Sequence, residues 1–167
     1  MRRRVRPGPP LAVETQYAAR RPWVPAPARL ARWARAADAA AGGGSGGVCV
    51  RIVGAAAGRR LNRAYRGKDR PTNVLSFPAS AEERAHGGAL GDLVICAPVV
   101  AREARAQRKA PDAHWAHLVV HGVLHLHGLD HERPRAARAM EALEVEILRG
   151  LGYQDPYRPV TESRHDR

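Results

Sequence analysis

Apolar and polar positions change period several times along this chain, and each change marks an element. Residues Leu11–Ala18 mix apolar and polar side chains at a short period and predict a first strand. Arg20–Pro27, with three prolines, predicts a loop. Over Arg29–Ala41, Leu30, Trp33, Ala34 and Ala37 recur at helical spacing. The glycine-rich run Gly42–Gly47 reads as a flexible connection within one domain, because too little chain precedes it to build a core. Val48–Val53 predicts a strand and Ala55–Tyr65 a helix closing at Gly67. A polar turn from Lys68 then enters a short strand ending at Pro78, and Ala79–Ala89 reads as a polar loop. Leu90–Cys96 is the next strand and Val99–Lys109 a charged helix. A long helix capped by Asp112 runs to about His127, where Gly128 breaks it. Pro134 opens a last helix to about Arg149.

The order is strand, helix, strand, helix, two strands, then three helices. It predicts a single α+β (mixed α/β) domain over residues 10–157, with one sheet of about four strands and helices packed on it. Residues 1–9, rich in Arg and Pro, are expected to be disordered, and Gly150–Arg167 reads as a tail, of which 158–167 lies outside the domain.

Composition narrows the class. The 167 residues suffice for one domain, and no run approaches the ~20 apolar residues of a membrane span. The Arg-rich start is followed by prolines rather than the apolar core of a secretory signal, so a soluble, cytoplasmic protein is expected. Cys49 and Cys96 lie in predicted strands and are expected to be buried, reduced thiols. The net charge of +12 is unevenly spread: residues 1–70 carry 16 basic and 3 acidic side chains, whereas residues 71–167 carry 12 and 13. Such an excess suits a basic face for a polyanion such as nucleic acid, and equally a solvated Arg-rich surface.

Six of the eight histidines lie between His114 and His131. At 100° per residue, His114, His117, His121 and His125 share about an 80° sector of one helix face. Zinc holds imidazole nitrogens at ~2.0–2.1 Å, so rings ~6 Å apart along the axis can converge on one ion and rings ~12 Å apart cannot. One adjacent pair therefore comes from the helix, and a third ligand from chain that turns back. Gly128 permits that turn and His131 follows it, so His121, His125 and His131 form a three-histidine site with one open position, the catalytic rather than the structural pattern. His117 with His121 is the competing pair, but it has no third ligand nearby in sequence. His114 and His117 are expected to line the groove to the metal or to face solvent, and His86, His127 and His165 to be ordinary surface or core residues. The run H-x-x-x-H-x-x-G-x-x-H has metzincin protease spacing except that Gly122 stands where the catalytic Glu would be, which disfavours peptide hydrolysis.

Three segments together, HGVLHLHGLDH (121–131), LNRAYRGKDRPTNVLSFP (61–78) and LGDLVIC (90–96), resemble the bacterial YbeY family of rRNA-maturation endoribonucleases. The resemblance runs from about Val48 to Tyr157, with the motifs in the family's order. It implies a metal-dependent nuclease directed at single-stranded RNA, acting in maturation of the 16S rRNA 3′ end and in ribosome quality control. Small-subunit ribosomal proteins and an Era-type GTPase are the implied partners. The family's metal ligands match His121, His125 and His131, and its functionally important arginine matches Arg66.

The residues suit that chemistry. An open zinc site acidifies water and polarises a phosphoryl oxygen, and an arginine fork holds the charge that develops on it. Arg66 is the candidate catalytic arginine, with Lys68 and Arg70 as tentative RNA-binding phosphate guides and one Zn2+ per chain as cofactor. Asp69, Thr72 and Asn73 are expected to shape the turn. Asp130 is expected to orient a histidine ligand, with a base or a turn residue as its other readings; the proton acceptor is left unassigned. Leu118, Val119, Val123, Leu124 and Leu126 would anchor the metal helix to the sheet, with Trp115 as packing. Eight aromatic residues show no base-stacking platform in the sequence, so RNA binding is expected to be mainly electrostatic. The alternatives are a non-catalytic ribosome-assembly factor with a structural metal site and a metal-dependent hydrolase of another bond.

Overall fold

The hydrophobic runs of the chain condense into one four-stranded sheet with helices on both faces, as a computed structural model of residues 8–158 shows. The expected disorder of residues 1–7, the tail from 159 onward and His165 lie outside the described residues. The elements in chain order are β1 (Ala12–Tyr17), α1 (Pro27–Ala40), β2 (Gly47–Val53), α2 (Ala55–Arg66), β3 (Val74–Pro78), α3 (Ala81–Gly87), β4 (Ala89–Cys96), α4 (Ala97–Ala106), α5 (Pro111–Leu126) and α6 (Pro134–Gly150). The strands lie in the order β1-β2-β4-β3. The first two pairings are parallel, and β3 runs antiparallel to β4 at one end of the sheet.

Strand alternation divides the core in two. Val48, Val50 and Ile52 of β2, with Leu93 and Ile95 of β4, face α1 and α5 in the main cluster. Val53, Val94 and Cys96 point the other way, joining Leu75 and Val99 in a smaller cluster against Ala57 and Leu61 of α2. The α+β class and four-stranded sheet agree with the expectation, and Trp115 and the five named apolar residues of α5 are all buried.

Helix α5 is apolar on most of its circumference, and ten of its 16 residues are buried. It lies close on the sheet at Gly122, where a Cβ would stand 2.8 Å from Leu93 Cδ2 and 3.4 Å from Val74 Cγ2. A glutamate at this position would drive a carboxylate into the apolar layer, so the departure from the protease pattern follows from packing.

Five expectations need correction. Residues 79–89 are not all loop: Ser80 Oγ accepts from the Glu83 amide at 3.1 Å and Glu83 accepts from the Ser80 amide at 2.8 Å, a capping box that starts α3. Asp112 does not cap α5; Ala110 holds that position without a side-chain bond, and Asp112 sits in the first turn, accepting from the Ala113 amide at 2.9 Å. Helix α4 stops at Ala106, short of Lys109, and Arg108 turns to φ 53° just after it. The chain after α6 is not a loose tail: Tyr153 packs edge-on to the buried Trp33 at 6.3 Å, and Lys109 Nζ donates to the Pro156 carbonyl at 2.6 Å. Both cysteines are free, but only Cys96 is buried; Cys49 is half-buried. Among the described residues no helix is long and apolar enough to cross a membrane.

Because Gly122 sits against fully buried Leu93, Gly122→Leu should overpack this layer. We expect a loss of about 1–3 kcal/mol or more in urea unfolding, with an unchanged m-value.

Candidate metal centre

Four turns of α5 carry His114, His117, His121 and His125 along one side, and the apolar remainder of the helix fixes where that side faces. After the helix ends, Gly128 adopts φ 88° and reverses the chain. Asp130 Oδ1 accepts from the Glu132 amide at 2.8 Å and holds the turn, one of the roles expected of it. His131 is thereby brought back to the helix. Its Nδ1 lies 2.8 Å from His125 Nε2, which is 3.0 Å from His121 Nε2. The three nitrogens lie within 4.8 Å of one another, the convergence that the spacing predicted.

The protonation of these rings fits a cation. Glu144 is fully buried, yet it is ionised. Burial raises its pKa, but hydrogen bonds from His117, His121 and Tyr157 outweigh this and hold it at about 2. As a carboxylate it only accepts, so His121 Nδ1, 2.5 Å from Oε1, must be the donor. That leaves His121 Nε2 as the nitrogen that faces His125. Burial, reinforced by the neighbouring His121 and His131, pushes His125 down to about 4, so that ring is neutral at neutral pH, as a ligand must be. Converging imidazole lone pairs suit a borderline-soft divalent ion.

Glu144 is the site residue that sequence reasoning missed. It lies on α6, 23 residues from His121, in a helix that reads as an ordinary amphipathic one. Its Oε2 accepts from His117 Nε2 at 2.8 Å and from the Tyr157 hydroxyl. His117, His121 and Glu144 make a second group with metal-ligand geometry, so the third partner that the His117–His121 pair lacked in sequence comes from α6. Its spacings are those of N–H and O–H donors on one carboxylate, the arrangement that orients metal-binding histidines. His114 is buried rather than solvated, with Nε2 3.0 Å from Glu103 Oε1, while Asn73 Nδ2 donates to the same oxygen at 3.0 Å. His127 pairs with Asp38 at 2.8 Å, and exposed His86 turns to the Glu82 carbonyl.

The three convergent histidines open into a cleft of about 710 Å3. Its other wall is formed by consecutive residues 73–78, along and just before the end strand β3, and by Tyr65 and Arg66 at the end of α2. Arg66 is exposed and faces the same cleft as the histidines; Lys68 and Arg70 are exposed in the adjoining turn but do not line it. Asn62 Nδ2 fixes that turn through the Arg70 carbonyl at 2.7 Å, and Asp69 pairs with Arg59 at 2.7 Å. Arg59, Arg60, Arg63 and Arg66 are all exposed on α2; of these, Arg66 lines the cleft and Arg59 is paired with Asp69.

Comparison with known proteins agrees with this geometry. The family model described as Endoribonuclease YbeY matches residues 30–152. A protein named Endoribonuclease YbeY from Alkalilimnicola ehrlichii is 56% identical over 158 residues, covering 92% of this chain and 95% of its own. One of the same name from Stenotrophomonas maltophilia is 54% identical over 159 residues, covering 88% and 93%. The solution structure of a Thermotoga maritima protein superposes with a TM-score of 0.54 at 23% identity, over 87% of this chain and 99% of that one, a likeness of fold.

Two outcomes are expected. Glu144→Gln, nearly isosteric but with one accepting oxygen fewer, should weaken metal binding about 10–100-fold by competition with a chromophoric chelator, with the far-UV circular dichroism unchanged; Tyr157→Phe, which leaves the His121 bond intact, should weaken it less. The second concerns Glu103, whose pKa is lowered chiefly by the His114 hydrogen bond against an opposing push from burial. The stability it contributes is present above the ordinary carboxylate value near 4.5 and is lost as pH falls towards the lowered one. Urea unfolding of Glu103→Gln should therefore depend less steeply on pH below about 4.5 than wild type does.

Proposed function

The chain belongs to the YbeY endoribonuclease family and is a nuclease, and we propose that it hydrolyses phosphodiester bonds of single-stranded RNA with one zinc ion held by His121, His125 and His131. The observation that carries this reading is the convergence of three imidazole nitrogens in an open cleft whose other wall presents Arg66. A structural zinc site closes its coordination shell with four protein ligands, whereas three histidines beside a cleft leave room for substrate. This favours catalysis over the assembly-factor alternative.

When bound, the ion supplies Lewis acidity to water and to phosphoryl oxygens. The chain supplies the rest. Glu144 holds the His121 ring through Nδ1, leaving Nε2 as the atom that would ligate the ion, and His125 is kept neutral by its surroundings. Arg66 is placed to receive the non-bridging oxygens of the scissile phosphate through a guanidinium fork, where negative charge grows during displacement. The arginines of α2, with Lys68 and Arg70 beyond the cleft, guide the flanking phosphates electrostatically. Maturation of the 16S rRNA 3′ end and ribosome quality control are the processes proposed for it, with small-subunit ribosomal proteins and an Era-type GTPase as partners and the cytoplasm as its compartment. The three sequence motifs support this assignment.

The test is a cleavage time-course on single-stranded and duplex rRNA fragments with metal-quantified protein. Cleavage of the single strand should be lost on chelation and restored by zinc. Arg66→Glu should lower the rate at least about 100-fold while keeping its zinc, and His121→Ala should lose both zinc and activity. One zinc per chain with no cleavage above a mock preparation would leave the site structural and favour the assembly factor.

A further inference from the structure

The wall of the cleft opposite the histidines is mixed: beside Arg66, Asn73 and Ser76 it carries Phe77 and Pro78 of β3 and Tyr65 of α2. Tyr65 is 67% exposed, the most exposed large hydrophobic residue among the described ones, and most such side chains in this fold are inside. Its ring is nevertheless held in place: it meets Phe77 at 4.9 Å between centroids and 69° between planes, an edge-to-face pair. Phe77 is in turn anchored by packing on the smaller core cluster. The result is an oriented aromatic surface open to the cleft, next in sequence to Arg66.

Resting on the nuclease reading above, we propose that Tyr65, braced edge-on by Phe77, is a stacking platform for one unpaired nucleobase of the RNA, in the nucleotide flanking the phosphate that Arg66 and the metal centre would hold. A nucleotide joins a flat apolar base to an anionic phosphate, and the cleft offers a partner to each, Tyr65 beside Arg66. The platform also accounts for preference for single strands. In a duplex both faces of every base are covered by neighbours, so no face is left for a protein ring, whereas an unpaired base stacks freely. Such a contact tolerates any base, because each has a π-face. It supplements the electrostatic binding read from the sequence, where Tyr65 and Phe77 are 12 residues apart and do not read as a pair.

Steady-state cleavage of a short single-stranded RNA by zinc-loaded protein tests the proposal. Tyr65→Leu should raise KM about ten-fold or more with zinc content unchanged, and Tyr65→Trp should stay near wild type. Tryptophan emission of Tyr65→Trp, taken as the difference from wild type, should be quenched by the single strand and not by a blunt duplex. An abasic nucleotide beside the cleaved bond should cost wild type what Tyr65→Leu costs, with no further loss when the two are combined. Unchanged KM in Tyr65→Leu, or equal losses on intact and abasic RNA, would overturn the platform. Should wild type cleave no RNA, the nuclease reading falls, and quenching of Tyr65→Trp by the single strand alone then decides whether the platform exists.

Discussion

Everything in this site depends on how helix α5 is buried. Its apolar side chains leave it no stable place except between the sheet and helices α1 and α6, and Gly122 lets it settle directly on Leu93. Each fully buried Leu or Val in such a layer contributes about 1.5–3 kcal/mol relative to exposure, so the orientation of the helix is strongly held. The histidines on its remaining face are carried into the interior with it. An unsatisfied buried polar group costs about 1–3 kcal/mol; the Nε2 atoms of His114 and His117 meet carboxylates, whereas the Nδ1 atoms of both are buried without a partner.

Glu144 answers that requirement for two rings at once. A fully buried carboxylate is costly when isolated, but this one receives donors from His117, His121 and Tyr157. The same bonds that compensate its burial determine which nitrogen of His121 carries the proton. Core packing and ligand preparation are therefore one arrangement. It links α6 and the segment after it to a histidine cluster whose members all come from α5 and the turn that follows.

The opposite side of the cleft obeys a different logic. Helix α2 carries four arginines and no acidic residue; it packs on the inner strand β4 and meets the end strand β3 through Tyr65 near its C-terminal end. An end strand leaves room for a ligand at the sheet margin, where histidines from one face and side chains of α2 from the other border the same space. Arg66 and Tyr65 of α2, Phe77 of β3 and the histidines of α5 and the turn after it thus meet at one edge of the fold.

The sequence by itself determined the features that depend on local periodicity and on short spacings. Sheet strands, most helices and the His121–His125–His131 cluster were legible because ligands four residues apart on a helix, followed by a glycine turn, converge whatever the remainder of the chain does. The segment around Ser80 was misread because its capping box lies in a polar stretch with no apolar period to announce a helix. Only the tertiary structure could supply Glu144 and Tyr157, which lie 23 and 36 residues from His121 and reach it through the packing of α6 on α5. The pairing of Tyr65 with Phe77, the facing of Arg66 towards the histidines and the burial of His114 are of the same kind. Each joins side chains on separate elements, and their proximity is set by how those elements pack rather than by any spacing along the chain.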